Sequence, residues 1–279
     1  MDKTFHFLTG LPRSGGTLLS SLLNQNPDIY STPISPLPTF MWEFSQLAEN
    51  TEQVKRNVEN QIKTEILFSS FLNTYYKEVE KPIVIEREKS WGTPANLNLI
   101  KKYVSPTPKI LVTVRDILEI IASFVKMNPQ YLKNDVVNSG FFSTNYRSQK
   151  DNISEMVMAH NGDVDKALLS LASAFYPENK GMFHIVEYKD LVLQPEDTMN
   201  KIYDFLDLPH YKHNFNKIEK VEKDDDEALG LPKNLHEIRK SLSQSSTNVD
   251  ILSDYIQHKY SNMEFWRKDS LMKVRGKDF

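Results

Sequence analysis

The sequence predicts a three-layer α/β fold, a central parallel sheet flanked by helices, and three observations lead there. Short runs at residues 4–8, 83–86, 110–114 and 183–187 are mostly apolar, as strands buried on both faces must be. Helical patterns separate the runs, which is the alternation that builds a parallel sheet. A glycine-containing turn follows the first run and opens onto an amphipathic helix, the local form of an anion cradle.

Taken in order, the first strand leads into "GLPRSGGT" at residues 10–17. The helix behind it sets Leu18, Leu19, Leu22 and Leu23 on one face and stops at Asn26-Pro27. Residues 55–78 carry a longer helical pattern ahead of the second strand. After the third strand, residues 117–126 turn Ile117, Leu118, Ile121 and Phe124 inward, and residues 153–176 hold one or two more helices. Beyond the fourth, Pro195 fixes a helical φ while Glu196 and Asp197 sit at the positive end of the helix dipole; Met199, Ile202, Tyr203 and Leu206 follow at helical spacing. The mixed-sign run at 217–227 reads as solvated surface, and the polar, basic residues 268–279 as a frayed end. One domain over residues 1–279 is the expectation.

Composition excludes several functions. A net charge of −3 gives no overall pull toward nucleic acid or an anionic membrane, so any anion site must be local. The absence of cysteine removes disulfides, thiolate zinc sites and thiol catalysis. The seven histidines show no metal-ligand spacing, and His184 within a strand reads as a packing residue. With no leader pattern and no apolar run of about 18 residues, a cytoplasmic protein without membrane or nucleic-acid partners is expected.

The turn has nearly the spacing of a nucleotide-binding P-loop, G-x-x-x-x-G-K-[ST]. Its lysine is missing. Position 16 is glycine, and the nearest cation is Arg13, inside the loop. A second anion-binding element lies in "KILVTVRDILEIIASF", where a strand ends at Arg115 and Ser123 follows eight residues later. That separation is about 12 Å of helix rise, so the two groups can flank one anion only if the helix folds back across the strand end. A third segment, "VIEREKSWGTP", supplies Arg87 and Lys89, which alternation puts on one face of an extended chain.

These segments resemble the sulfotransferases that use 3'-phosphoadenosine 5'-phosphosulfate (PAPS). "GLPRSGGTLL" looks like that superfamily's 5'-phosphosulfate loop, in the P-R-S-G-T-T form of the tyrosylprotein branch, and "VTVRDILEIIASF" is similar to its 3'-phosphate motif. "VEYKDLVLQPEDTMNKIYDFLDLP" resembles its Y-E-D-L-x-x-x-P segment, and longer wording such as "GLPRSGGTLLSSLLNQNP" and "STPISPL" is similar to uncharacterised bacterial and phage sulfotransferases. The resemblance implies a P-loop-kinase-like fold and transfer of the sulfuryl group from PAPS to an acceptor hydroxyl or amine, leaving PAP. It implies that Pro12, Arg13, Ser14, Gly15, Gly16, Thr17 and Leu18 hold the 5'-phosphate, that Arg115 and Ser123 hold the 3'-phosphate, and that Tyr188 lies against adenine. Arg239 and Lys240 would close over the 3'-phosphate. Arg13 and Lys89 would be catalytic, since the family places a lysine 26 residues before the 3'-phosphate arginine, the separation of Lys89 from Arg115; Arg87 is held in reserve. No metal is implied, because a sulfuryl group carries less negative charge than a phosphoryl group and side-chain cations suffice.

The general base is open. Trp91 occupies the slot of the cytosolic branch's histidine and Pro33 that of the tyrosylprotein branch's glutamate, which leaves Glu43 and Glu88. Aromatic residues cluster at Phe40, Trp42, Phe44, Phe68, Phe71, Tyr75 and Tyr76 and again at Tyr131, Phe141, Phe142 and Tyr146, permitting an apolar or aromatic acceptor within a small molecule, glycan or peptide. Two other readings stand beside this one: a P-loop nucleotide or small-molecule kinase, with Thr17 at the Mg²⁺-ligand position, and a nucleotide-binding protein without catalysis.

Overall fold

The computed structural model describes residues 3–127, 149–219, 241–242 and 248–267. Five strands, β1 (Thr4–Gly10), β2 (Ile29–Ile34), β3 (Ile83–Arg87), β4 (Ile110–Val114) and β5 (Phe183–Glu187), form a parallel sheet in the order β2-β3-β1-β4-β5. Four of these match the apolar runs. The fifth, β2, was not expected, because Ser31, Thr32 and Pro33 interrupt its apolar pattern. Proline removes a ladder donor, and the sheet accommodates it by placing β2 at the edge, where its register with β3 shifts between Ser31 and Ile34.

The helices are α1 (Gly16–Leu23), α2 (Leu37–Asn50), α3 (Glu52–Arg56), α4 (Val58–Tyr75), α5 (Pro94–Tyr103), α6 (Ile117–Lys126), α7 (Gln149–Met158), α8 (Asp163–Ala172), α9 (Tyr188–Leu193), α10 (Pro195–Leu206) and α11 (Asp254–Tyr260). The pattern at 55–78 resolves into α3 and α4, separated by Asn57 in an extended conformation whose side chain caps α4 by accepting from the Asn60 amide. The stretch at 153–176 becomes α7 and α8, divided where Asn161 takes a positive φ of 66° ahead of Gly162. The helices expected at 117–126 and 195–206 are α6 and α10.

Alternation along each strand sorts side chains into two cores, one on each face of the sheet. On one face the α1 leucines and Ile202 and Tyr203 of α10 pack on Leu8, Ile85, Leu111 and Val186. On the other, Phe7, Val84, Val112 and Val114 meet Met41 of α2, Ile100 of α5, Ile121 of α6 and Leu168 of α8. Leu19, Leu22 and Leu23 are completely buried, each contributing about 1.5–3 kcal/mol of transfer free energy, so α1 is fixed to the sheet close behind the loop it follows. This is the P-loop-kinase-like layering that the sequence predicts. No helix among the described residues is long and apolar enough to cross a membrane. Tyr131, Phe141, Phe142, Tyr146, Arg239 and Lys240 lie outside the described residues.

Candidate active site

Every parallel strand delivers its C-terminal end to one edge of the sheet, where the loop at 10–18, Arg87, Arg115 and Tyr188 lie. The loop after β1 is closed by backbone constraint. Gly10 adopts a φ of 149°, and a side chain at that position would fall on the Thr113 carbonyl of β4. Ser14, 1% exposed, lies 2.7 Å from Thr113 Oγ1, 3.0 Å from the Thr113 carbonyl and 2.5 Å from the Leu11 carbonyl. Its hydroxyl therefore ties the loop to β4. Gly15 caps α1 in the left-handed region at φ 91°, and a Cβ there would strike the Tyr188 ring.

The first turn of α1 exposes the amides of Gly16, Thr17 and Leu18, which have no carbonyl partner within the helix, and no acidic residue of that turn offsets the positive dipole end. Such a turn has the geometry of an anion cradle. Arg13, at a positive φ of 61°, donates through Nε to Ser123 Oγ at 3.2 Å. Arg115 donates through NH1 to the Arg13 carbonyl at 3.1 Å and through Nε to Glu119 Oε2 at 2.7 Å, and its guanidinium stacks 4.4 Å above the Tyr188 ring. Arg13 thus links Arg115 and Ser123, bonding one through its carbonyl and the other through its side chain. Glu119 was missed, although its position four residues after Arg115 on a helix was the available signal.

Arg87 and Lys89 separate. Arg87 is 8% exposed and donates through NH2 to Thr17 Oγ1 at 3.1 Å, entering the loop beside Gly16. The guanidinium reaches the first turn of α1 from the neighbouring strand where a P-loop would use its own lysine. Lys89 lies beyond the strand end with an exposed side chain, while its carbonyl accepts from Thr9 Oγ1 at 2.7 Å.

Glu43 is exposed on α2, and Glu88 accepts from the amide and hydroxyl of Ser90, each at 2.5 Å. Trp91 is a core residue, packed edge-on to Phe7 at 5.0 Å and donating from its indole to Glu86. Glu86 is fully buried, and burial pushes its carboxyl up to about 7 against the opposing pull of the donors Ser35, Trp91 and Tyr76. His184 stacks on Phe205 at 5.2 Å, and burial lowers its pKa. No group of three His, Asp or Glu residues among the described residues is arranged to hold a metal ion.

Comparison with known proteins bears on this geometry. A family model described as "Sulfotransferase family" matches residues 6–212, the span from β1 to just beyond α10. The protein-tyrosine sulfotransferase of Drosophila melanogaster is 26% identical over 265 residues, covering 87% of this chain and 48% of its own length, so the chain spans about half of that curated relative. Among solved structures, the sulfotransferase domain of the Synechococcus PCC 7002 olefin synthase superposes with a TM-score of 0.57 at 18% identity, covering 97% of each chain. The sulfotransferase domain from the curacin biosynthetic pathway gives 0.50 at 18% identity, over 89% of this chain and 83% of that one. At such identities the structures establish the fold, while the family match runs through the loop, Arg87 and Lys89, Arg115 with the helix after it, and Tyr188. The chain belongs to the sulfotransferase family.

Proposed function

We propose that the protein transfers the sulfuryl group of PAPS to an acceptor hydroxyl or amine by in-line displacement, without a metal, within a single domain. The observation that carries the reading is the junction at Arg13, which bonds Ser123 through its side chain and Arg115 through its carbonyl. The junction binds the loop to a second cationic site, as a ligand with phosphates at both ends of a nucleoside requires. The loop amides and the α1 N-terminus would hold the 5'-phosphate, Arg115 and Ser123 the 3'-phosphate, and Tyr188 the adenine. Arg239 and Lys240 would cover the 3'-phosphate. As the acceptor oxygen or nitrogen bonds to sulfur and the bridging S–O bond breaks, Arg13 and Lys89 would stabilise charge moving onto the departing phosphate, and the acceptor's proton passes to a base. Arg87 supplies a further cation at the loop. The acceptor belongs to a small molecule, glycan or peptide.

A kinase would need the Thr17 hydroxyl to face Mg²⁺, but that oxygen accepts from Arg87, a cation in the metal's place. Calorimetry separates the two readings. Tight binding of adenosine 3',5'-bisphosphate is expected, whereas tight binding of Mg²⁺·ATP alone would overturn the proposal. Turnover of PAPS with a broad acceptor panel then tests catalysis, and it should survive EDTA.

A further inference from the structure

Arg115 and Tyr188 stand at the tips of β4 and β5 and stack on each other across the loop. The residues beside them point the other way, as alternation along a strand requires. A chain segment distant in sequence meets those neighbours on the opposite face. Glu187 accepts from Arg267 Nε at 2.7 Å and NH2 at 2.9 Å, and from the Trp266 indole at 2.9 Å. Arg267 also lies 3.7 Å from Asp116, the residue after Arg115, and the Glu264 carboxylate accepts from the Ile117 amide at 2.9 Å, at the first turn of α6. Trp266, 8% exposed, belongs to the core on that face.

One short segment, residues 264–267, therefore grips both strand ends that carry the proposed nucleotide contacts. The bidentate pairing fixes distance and orientation together, which a single point contact would not. Helix α11 anchors the segment in turn. Lys259 Nζ lies 2.6 Å and 2.7 Å from the two Glu155 oxygens on α7, Tyr255 and Tyr260 donate to the same carboxylate, and Ser253 bonds Asp151. The Glu155 and Asp151 carboxylates that receive these bonds are buried, so the segment has a defined seat.

We infer that Arg267, with Glu187, is a positioning residue for nucleotide binding: it braces the ends of β4 and β5 from behind and sets the Arg115–Tyr188 stack without touching the ligand. The inference rests on the nucleotide-binding reading given above. Removing the brace lets the two strand tips move independently, so the cost falls on whatever Arg115 and Tyr188 hold together.

The test uses the full chain and calorimetry with adenosine 3',5'-bisphosphate, with near-ultraviolet circular dichroism to confirm the native fold. Arg267→Ala should raise the dissociation constant about tenfold, and adding it to Arg115→Ala should cause little further loss, since the brace acts through Arg115. Full additivity of the two losses would overturn the inference, because a merely structural contribution is independent of Arg115. Glu187→Gln keeps the side-chain volume while removing the charge that Arg267 engages, and should weaken binding in the same direction. If Arg267→Ala does not fold, Glu187→Gln decides the question alone, and unchanged affinity there rejects the brace. A wild-type protein that does not bind the bisphosphate overturns the nucleotide reading itself, whereas wild-type binding with unaffected variants overturns only the brace.

Discussion

Arg13, Arg87 and Lys89 occupy different places at the sheet edge, and their substitution should separate ground-state binding from catalysis. Arg13 is built into the loop and bonded to Ser123, so Arg13→Ala should damage both PAPS affinity and kcat. Lys89 is exposed beyond the strand end, and its expected contribution arises as charge develops on the leaving phosphate. Lys89→Ala should therefore lower kcat by about 10²-fold with little change in the PAPS dissociation constant. Steady-state kinetics with a parallel binding measurement checks this. A large kcat loss in Arg87→Ala beside a near-normal Lys89→Ala would transfer the role to Arg87, already in contact with Thr17. Glu86, facing the other core, allows a prediction in pH. Burial raises its pKa from 4.5 to about 7, so between those values the folded chain keeps a proton that the unfolded chain has released. Stability falls as pH rises through that window and levels off above it. His6 acts oppositely, because burial lowers its pKa to about 4 and stability rises as pH passes from there to 6.5. Comparing Glu86→Gln with wild type isolates the carboxyl. The stability of the variant relative to wild type should increase by on the order of 3 kcal/mol between pH 4.5 and 7, as measured by denaturant unfolding.

The loop between β1 and α1 contains two adjacent glycines with unequal demands. Gly15 holds a φ of 91°, and a Cβ would meet the Tyr188 ring, whereas at Gly16 it would sit 3.7 Å from Thr113 Oγ1, an ordinary contact. Gly15→Ala should abolish nucleotide binding and lower the melting temperature by several degrees, and Gly16→Ala should leave the melting temperature almost unchanged. Thermal unfolding without ligand distinguishes them. The same loop shows how much could be read in advance. Its glycines, Arg13 and the leucines of α1 are a local pattern, and the strands ending at Arg115 and before Tyr188 are apolar because both faces are covered. Those elements carry the candidate site, and they were legible. The edge strand β2 was not, since Pro33 and two hydroxyl residues obscure a strand whose outer side needs no partner. The pairing of Arg87 with Thr17 and that of Glu187 with Arg267 also left no sequence signal, because they join positions 70 and 80 residues apart whose proximity only the fold creates.

For the whole molecule, the site is distributed over the sheet rather than contained in any one unit. β1 supplies the loop, β3 a cation, β4 Arg115 and β5 the approach to Tyr188, and the parallel connections between them each run through helices. No single element brings these groups together, so the ligand-competent state requires β1, β3, β4 and β5 to be paired. A ligand with no affinity for the partly ordered chain then acts as a selective pull on the folded population, by mass action alone. At one hundred times its dissociation constant, adenosine 3',5'-bisphosphate should add about 2.7 kcal/mol to unfolding. The melting temperature should climb with the logarithm of its concentration, and a shift that stops well short of this would show that binding survives in an incompletely assembled chain. On the proposed function, a bound nucleotide would also lengthen the life of the folded chain, since the unliganded chain opens more often and is exposed to proteolysis each time it does.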